Sequence, residues 1–195
     1  RLMTELVGYF GFGSLVNKHT LRTSYVDIIP ARLDGWRRHW QAHVPSTEKS
    51  MALLSIHEDR DTSIDGMLVL DKIENLPLVD KREVGYERTS LNPSAVELHS
   101  DSKLPDDIYV YIAHGPETKG EGGPLLQSYV DAVMQGFKNE FGDSGLRNFM
   151  DTTSHFDRHI IKDRDQPLYP RSVTLTSEEA SLFDQLLDEA GVQSL

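Results

Sequence analysis

The chain has 195 residues, 38% hydrophobic and 26% charged, enough for one domain with a full core or a domain plus a tail. Acidic residues outnumber basic ones 31 to 20, and the net charge of −11 argues against a nucleic-acid surface and disfavours anionic membranes. The absence of cysteine excludes a disulfide framework, a thiolate nucleophile and a thiolate zinc site, and fits a reducing cytoplasm. No stretch approaches the roughly 18 apolar residues of a membrane helix. No signal-peptide pattern opens the sequence. It begins at Arg1 rather than methionine, so some native N-terminus is expected upstream.

Residues 6–12 predict a first strand, rich in aromatics and ended by glycine. Residues 28–43, "IIPARLDGWRRHWQAH", predict one or two strands with a turn at Asp34-Gly35. "MALLSI", 51–56, is a compact strand, "HEDRDTS" a loop, and 64–70 another strand. Leu76, Val79, Arg82 and Glu83 fall at helical spacing and predict a short helix from about Leu76. Residues 96–98 and 108–113 read as strands. "HGPETKGEGGPL" is rich in glycine and proline, so 115–124 is expected to be a mobile loop placed to act as a lid. Leu126, Tyr129, Val130, Val133, Met134 and Phe137 mark an amphipathic helix over 125–141. The tail is polar and irregular after one short helix. Thr176 to Glu179 then forms a capping box that opens a final helix, which Gly191 ends.

Five or six strands thus precede most of the helical mass. That order predicts an α+β fold with a mixed or barrel-like sheet rather than a doubly wound one. Two regions are expected: a domain over 1–142 and a C-terminal extension, 143–195, packed on it.

The stretch "YFGFGSLVN" ends the first strand in two glycines and a serine. As a dinucleotide loop it fails, because Val16 fills the place of the third glycine. As a phosphate loop it fails because Ser14 stands where lysine is required. What remains is a strand end with exposed N–H groups from Gly13, Ser14 and Leu15, suited to a carboxylate or a developing oxyanion. The plain alternative is a tight turn that buries Phe10 and Phe12.

"DKREVGYER" crowds seven ionisable groups beside apolar Leu76, Leu78 and Val79. Most such runs are solvated faces. Glu83 differs, being four residues after Val79 and seven after Leu76, on their buried-facing stripe. A buried carboxylate has a raised pKa and can shuttle protons near neutral pH. Glu87 is its competitor, and Asp80 is expected to cap or point outward.

The order of "FGFGSL", "ARLDGWRR", "DKREVGY" and "SYVDAVMQGF" resembles the gamma-glutamylcyclotransferase-like family over about residues 7–137. The tail "DRDQPLYPR" is similar to the ending of bacterial members. The resemblance implies a small mixed β-barrel-like sheet with flanking helices and no cofactor. It also implies an enzyme that releases 5-oxoproline when a substrate's own α-amine attacks its γ-carbonyl. Glu83 would be the acid/base. The turn at Phe12, Gly13, Ser14 and Leu15 would hold the glutamyl part, with Tyr129 a further substrate-binding candidate. Phe12 replaces the family's usual tyrosine, removing one hydroxyl from the site. Tyr9 cannot restore it, because strand parity places Tyr9 and Phe12 on opposite faces. The leaving group stays open among glutathione, a γ-glutamyl amino acid, a γ-glutamyl amine and a protein side-chain adduct. A non-catalytic module that binds a carboxylate ligand on the same fold is the alternative.

Other residues carry plainer expectations. Tyr111 and Tyr129 read as packing as readily as substrate contacts. Trp36 and Trp40 share one face, as core or rim. His39 with His43, and His155 with His159, have the four-residue spacing of helical metal ligands, but lie in strand-like or irregular stretches, so no metal is expected. Arg164 and Arg171 have the reach to bind a substrate carboxylate, and are read instead as pinning the tail to the acidic body. The expected partner is a small molecule, with no nucleic acid and no membrane. The location is cytoplasmic, and the oligomeric state is open.

Overall fold

The long β-ribbon at the centre of the structure begins from local alternation: apolar side chains at Ile29, Ala31 and Leu33 face inward while Arg32 and Asp34 face out. The computed structural model describes residues 5–21, 24–42, 51–115 and 123–194. The proposed lid falls largely on 116–122, outside the described residues, as does His43.

In chain order, β1 (Leu6–Gly11) is followed by two 3-10 turns, Ser14–Val16 and Lys18–Thr20. Strands β2 (Asp27–Gln41) and β3 (Leu53–Lys72) come next, and then α1 (Leu76–Arg82). The chain continues through β4 (Tyr86–Leu91), β5 (Val96–Leu98), β6 (Ile108–Ala113) and β7 (Leu125–Leu126). It ends with α2 (Gln127–Asp151), β8 (Thr153–Ser154), β9 (His159–Ile161), α3 (Ser177–Glu189) and β10 (Gln193–Ser194). The main sheet runs β4-β6-β1-β3-β2-β5, with β8 beside β2. β1 is parallel to β6 and antiparallel to β3, so the fold is a mixed α+β one. The sheet is open, and the barrel-like closure expected from the sequence does not occur. The edge strands β4 and β5 lie at opposite ends of the order and pair only with β6 and β2 among the described residues.

Two predicted breaks are bulges within continuous strands. Asp34 pairs with Ser63 and Trp36 with Glu58, so residues 59–62 stand opposite Gly35 alone. Asp59 closes this excursion, accepting from the Thr62 hydroxyl (2.7 Å) and the Asp61 N–H (3.1 Å). The polar segment thus bulges out by four residues, and the ladder resumes on either side. The tail is more ordered than its composition suggests, since β9 lies between β7 and β10 in a second, three-stranded sheet. The capping box is present, with Thr176 and Glu179 bonding each other's N–H groups.

Helix α2 packs on the sheet and continues past Phe141 to Asp151, kinking at Gly142. One apolar cluster joins Phe10, Phe12, Trp40 and Leu54 of the sheet side to Phe137 and Phe149 of α2 and Phe183 of α3. Within it sits a fully buried cation, Arg38, on the same face of β2 as Trp36 and Trp40. Its guanidinium lies over the rings of Phe137 (4.6 Å) and Phe149 (5.0 Å). Its Nε donates to the Phe12 carbonyl (2.8 Å), Nη1 to the Thr152 hydroxyl (2.9 Å), and Nη2 to the Asp65 carbonyl. Burial lowers its pKa to about 9, which leaves it charged at neutral pH. Replacing it strands two buried carbonyls, so Arg38→Met is expected to lower unfolding stability by about 3–5 kcal/mol in urea titrations. A loss of under about 1 kcal/mol would show that these bonds are dispensable.

Candidate functional site

The turn after β1 is held from below through its carbonyls. Arg38 takes the oxygen of Phe12, and the Thr20 hydroxyl donates to the oxygens of Ser14 (2.7 Å) and Asn17 (2.8 Å). In a trans peptide the C=O and the following N–H point opposite ways. Fixing the carbonyls of Phe12 and Ser14 inward therefore turns the N–H groups of Gly13 and Leu15 outward. Asn17 ties the turn to α2, donating from Nδ2 to Ala132 O (2.8 Å) and Gln135 Oε1 (3.0 Å). Gly136 permits this approach, since a Cβ there would stand 2.6 Å from the Asn17 nitrogen. The N–H groups of Gly13, Ser14 and Leu15 have no hydrogen-bond partner among the described residues.

These groups face a cleft of about 400 Å³ including its open mouth, lined also by Phe10, Phe12, Leu54, Glu83, Tyr86, Tyr111 and Tyr129. All the residues singled out in the sequence, Glu83, Phe12, Gly13, Ser14, Leu15 and Tyr129, come together here. Glu83 arrives differently from the expectation. It is not on the helical stripe but at the C-cap of α1, one residue beyond Arg82, with its N–H on the Val79 carbonyl (3.1 Å). Leu76 and Val79 are buried and seat the helix. Burial raises the pKa of the Glu83 carboxyl, against the lowering pull of the Arg82 and Arg171 charges.

The Tyr129 hydroxyl stands over Gly13, where a Cβ would approach it to 3.3 Å, with Ser14 on the same wall of the cleft. Burial raises the pKa of Tyr129, and raises that of Tyr86 strongly, so both phenols stay protonated. Tyr86 is a lining residue the sequence reading did not single out. Its signal was available, three residues after Glu83 in "DKREVGY". Its hydroxyl donates to the Leu54 carbonyl (2.9 Å). Tyr111 also lines the cleft, with its hydroxyl committed to Asp80 (2.6 Å). Asp80 is exposed at the end of α1, as expected, and accepts a hydrogen bond from this phenol. Glu87 is exposed on β4 and does not line the cleft. Tyr9 points to the other side of β1, against Val69, Val79 and Tyr111, as strand parity requires.

The two tail arginines part company. Arg164 pins the tail, gripping Asp131 at 2.8 and 2.9 Å and Asp184 at 3.0 Å. Arg171 does not, and lies over the Tyr169 ring at 5.8 Å beside Glu83. The histidines share no helix: His39 meets His57 (2.7 Å) across the ribbon, and His159 is on β9. Among the described residues no group of three or more metal-ligand side chains is assembled. Nor is any described helix long and apolar enough to cross a membrane.

No family model and no curated protein matches the chain by sequence. Solved structures do match. A gamma-glutamyl cyclotransferase superposes with a TM-score of 0.58 at 14% identity, covering 93% of this chain and 99% of that one. The chain has the gamma-glutamyl cyclotransferase-like fold. An uncharacterized protein from Homo sapiens matches this fold at TM-score 0.56 and 14% identity, over 92% of this chain and 99% of its own. YkqA from Bacillus subtilis matches at 0.54 and 18%, over 76% of this chain and 56% of its own. At these identities the shared property is the cyclotransferase-like fold.

Holding a carboxyl's pKa above its unfolded value of about 4.3 means that the native state binds more protons between the two values. Stability then falls as pH rises through that window and stays lower above it. Glu83→Gln removes this cost, so its Tm should exceed wild type at about pH 7.5, with the gap closing by about pH 4. A variant less stable than wild type at about pH 7.5 would show that Glu83 is not held against its charge.

Proposed function

We propose that the protein is a gamma-glutamyl cyclotransferase that acts on a small γ-glutamyl amide without a cofactor and releases 5-oxoproline. The observation that carries this reading is that Glu83 and the 13–15 turn, whose N–H groups have no partner among the described residues, line one cleft. The substrate supplies both reacting atoms. Its α-nitrogen bonds to its own γ-carbon, the bond to the departing nitrogen breaks, and a five-membered lactam and a free amine result. Because nucleophile and electrophile are tethered, positioning removes much of the entropic barrier.

The enzyme's tasks are protons and charge. The α-amine is an ammonium at neutral pH and cannot attack. Glu83 takes its proton and delivers one to the departing nitrogen. Its raised pKa serves both halves of that exchange, since a more basic carboxylate accepts more readily and a neutral carboxyl can still donate. The N–H groups of Gly13 and Leu15, with Ser14 and the neutral Tyr129 phenol, supply donors for the glutamyl carboxylate and for negative charge on the former carbonyl oxygen. Phe12 gives an apolar wall where a hydroxyl is usual, and Tyr129 and Tyr86 bring phenols from other elements. The cysteine-free, acidic chain suits such work in a reducing cytoplasm.

Purified protein should release 5-oxoproline from members of a γ-glutamyl amide panel, read by mass spectrometry. Glu83→Gln should lower kcat/KM by about a hundredfold to ten-thousandfold with the fold intact. In wild type, kcat/KM should fall as pH drops through the Glu83 pKa, at a pH above the ordinary carboxylate range. Ligand-induced stabilisation without product from any compound would favour the non-catalytic binding module instead.

A further inference from the structure

Beyond Glu83 the cleft opens into a second chamber. Ser14, Leu54, Glu83, Tyr86 and Tyr129 border both spaces. The second is lined further by Met51, Leu53, Val84 and Leu126, and by Tyr169 and Arg171 of the C-terminal segment. That segment is clamped in place. The buried Asp163 accepts from the Ser128 N–H (2.8 Å) and hydroxyl (2.6 Å) at the start of α2, and from the Leu168 N–H (2.8 Å). The Tyr169 N–H in turn donates to the Ser128 hydroxyl (3.2 Å). Arg164, two-handed on Asp131 and Asp184, secures the same stretch to α2 and α3. The Tyr169 ring packs edge-on against Tyr129, 5.1 Å between centroids.

Two polar groups in this chamber are left over by the fold. The Tyr169 hydroxyl is enclosed and has no hydrogen-bond partner among the described residues. The Arg171 guanidinium, half-buried, makes no ion pair among the described residues, although the chain carries an excess of acid. Enclosing a phenol without a partner costs free energy, and the cost persists until something supplies an acceptor. The chamber is also lined by Arg82, so its charge there is mainly positive beside Glu83, and a guanidinium next to an unpaired phenol matches a carboxylate, which accepts from both.

We infer that this chamber receives the departing half of the substrate and that Arg171 and Tyr169 select departing amines that carry a carboxylate. The inference rests on the cyclotransferase reading above. A substrate whose glutamyl part lies on the 13–15 turn, with its γ-carbon beside Glu83, extends its amide substituent past Glu83 into the second chamber. Arg171 is thus a specificity residue, and the C-terminal segment is the element that sets leaving-group choice. The scissile bond and the proton route are unchanged by it.

The test uses two substrates that differ only in that carboxylate, γ-glutamylalanine and γ-glutamylethylamide. Wild type should favour the alanine compound in kcat/KM by roughly tenfold to a hundredfold, the range for a charged hydrogen bond. In Arg171→Met the ratio of the two should collapse to within about twofold of one, and Arg171→Lys should keep part of it. Tyr169→Phe should shrink the ratio without abolishing it. A wild type indifferent to the carboxylate overturns the inference. So does an Arg171→Met variant that loses both activities in proportion, as a structural role or a role on the glutamyl carboxylate would require. If neither compound is turned over, the catalytic reading fails by itself. Calorimetry with the same pair then decides this inference: tighter binding of γ-glutamylalanine, lost in Arg171→Met, upholds it, and equal or absent binding overturns it.

Discussion

The site depends on carbonyl groups that face away from it. Arg38 and Thr20 hold the oxygens of Phe12 and Ser14 on the core side of the turn, and planarity of the peptide presents the neighbouring N–H groups to the cleft. A loop with unpaired N–H groups would otherwise be free to rotate them into bonds of its own. The cation that prevents this is fully buried, stacked on two phenylalanines and bonded to three separate parts of the chain. Its burial couples the turn after β1 to β3 and to the end of α2. A change in core packing near Phe137 or Phe149 therefore alters the donors that a substrate would meet.

Glu83 depends on a different compromise. Two buried side chains, Leu76 and Val79, seat a seven-residue helix whose last turn delivers the carboxyl at its C-cap. Desolvation pushes its pKa up, and Arg82 and Arg171 pull it back. Burial and the two arginines thus act on the same carboxyl in opposite directions, and burial prevails. In the proposed arrangement Arg171 therefore has two effects: it reads the departing amine and it moderates the base. These effects separate experimentally because only the first distinguishes one leaving group from another.

Local signals carried much of this into the sequence. Glycine after an aromatic strand marked the turn, helical spacing marked α1 and α2, and the capping box marked α3. What composition concealed was long-range pairing. Residues 57–63 read as a loop because they are polar, yet His57, Glu58 and Ser63 stay in the ladder to β2 and only 59–62 bulge out between them. The openness of the sheet follows from which strands end up at its edges, and no single strand encodes that. Arg38 carried no signal of its own in "WRRHW", because a buried cation is legible only once its acceptors from distant segments are placed around it. Arg164 and Arg171 appeared alike for the same reason. Their acidic partners come from α2 and α3, and the fold supplies them to one and not the other. Tyr86, by contrast, lay within a motif already in hand.

The most direct test of the central claim is a crystal structure of the Glu83→Gln variant soaked with a γ-glutamyl amide. The account predicts the glutamyl unit in the cleft, its α-nitrogen within about 3 Å of the residue 83 side chain and an oxygen of that unit on the N–H groups of Gly13 to Leu15. A glutamyl unit bound elsewhere, or bound in the cleft with its amine turned away from residue 83, would contradict it.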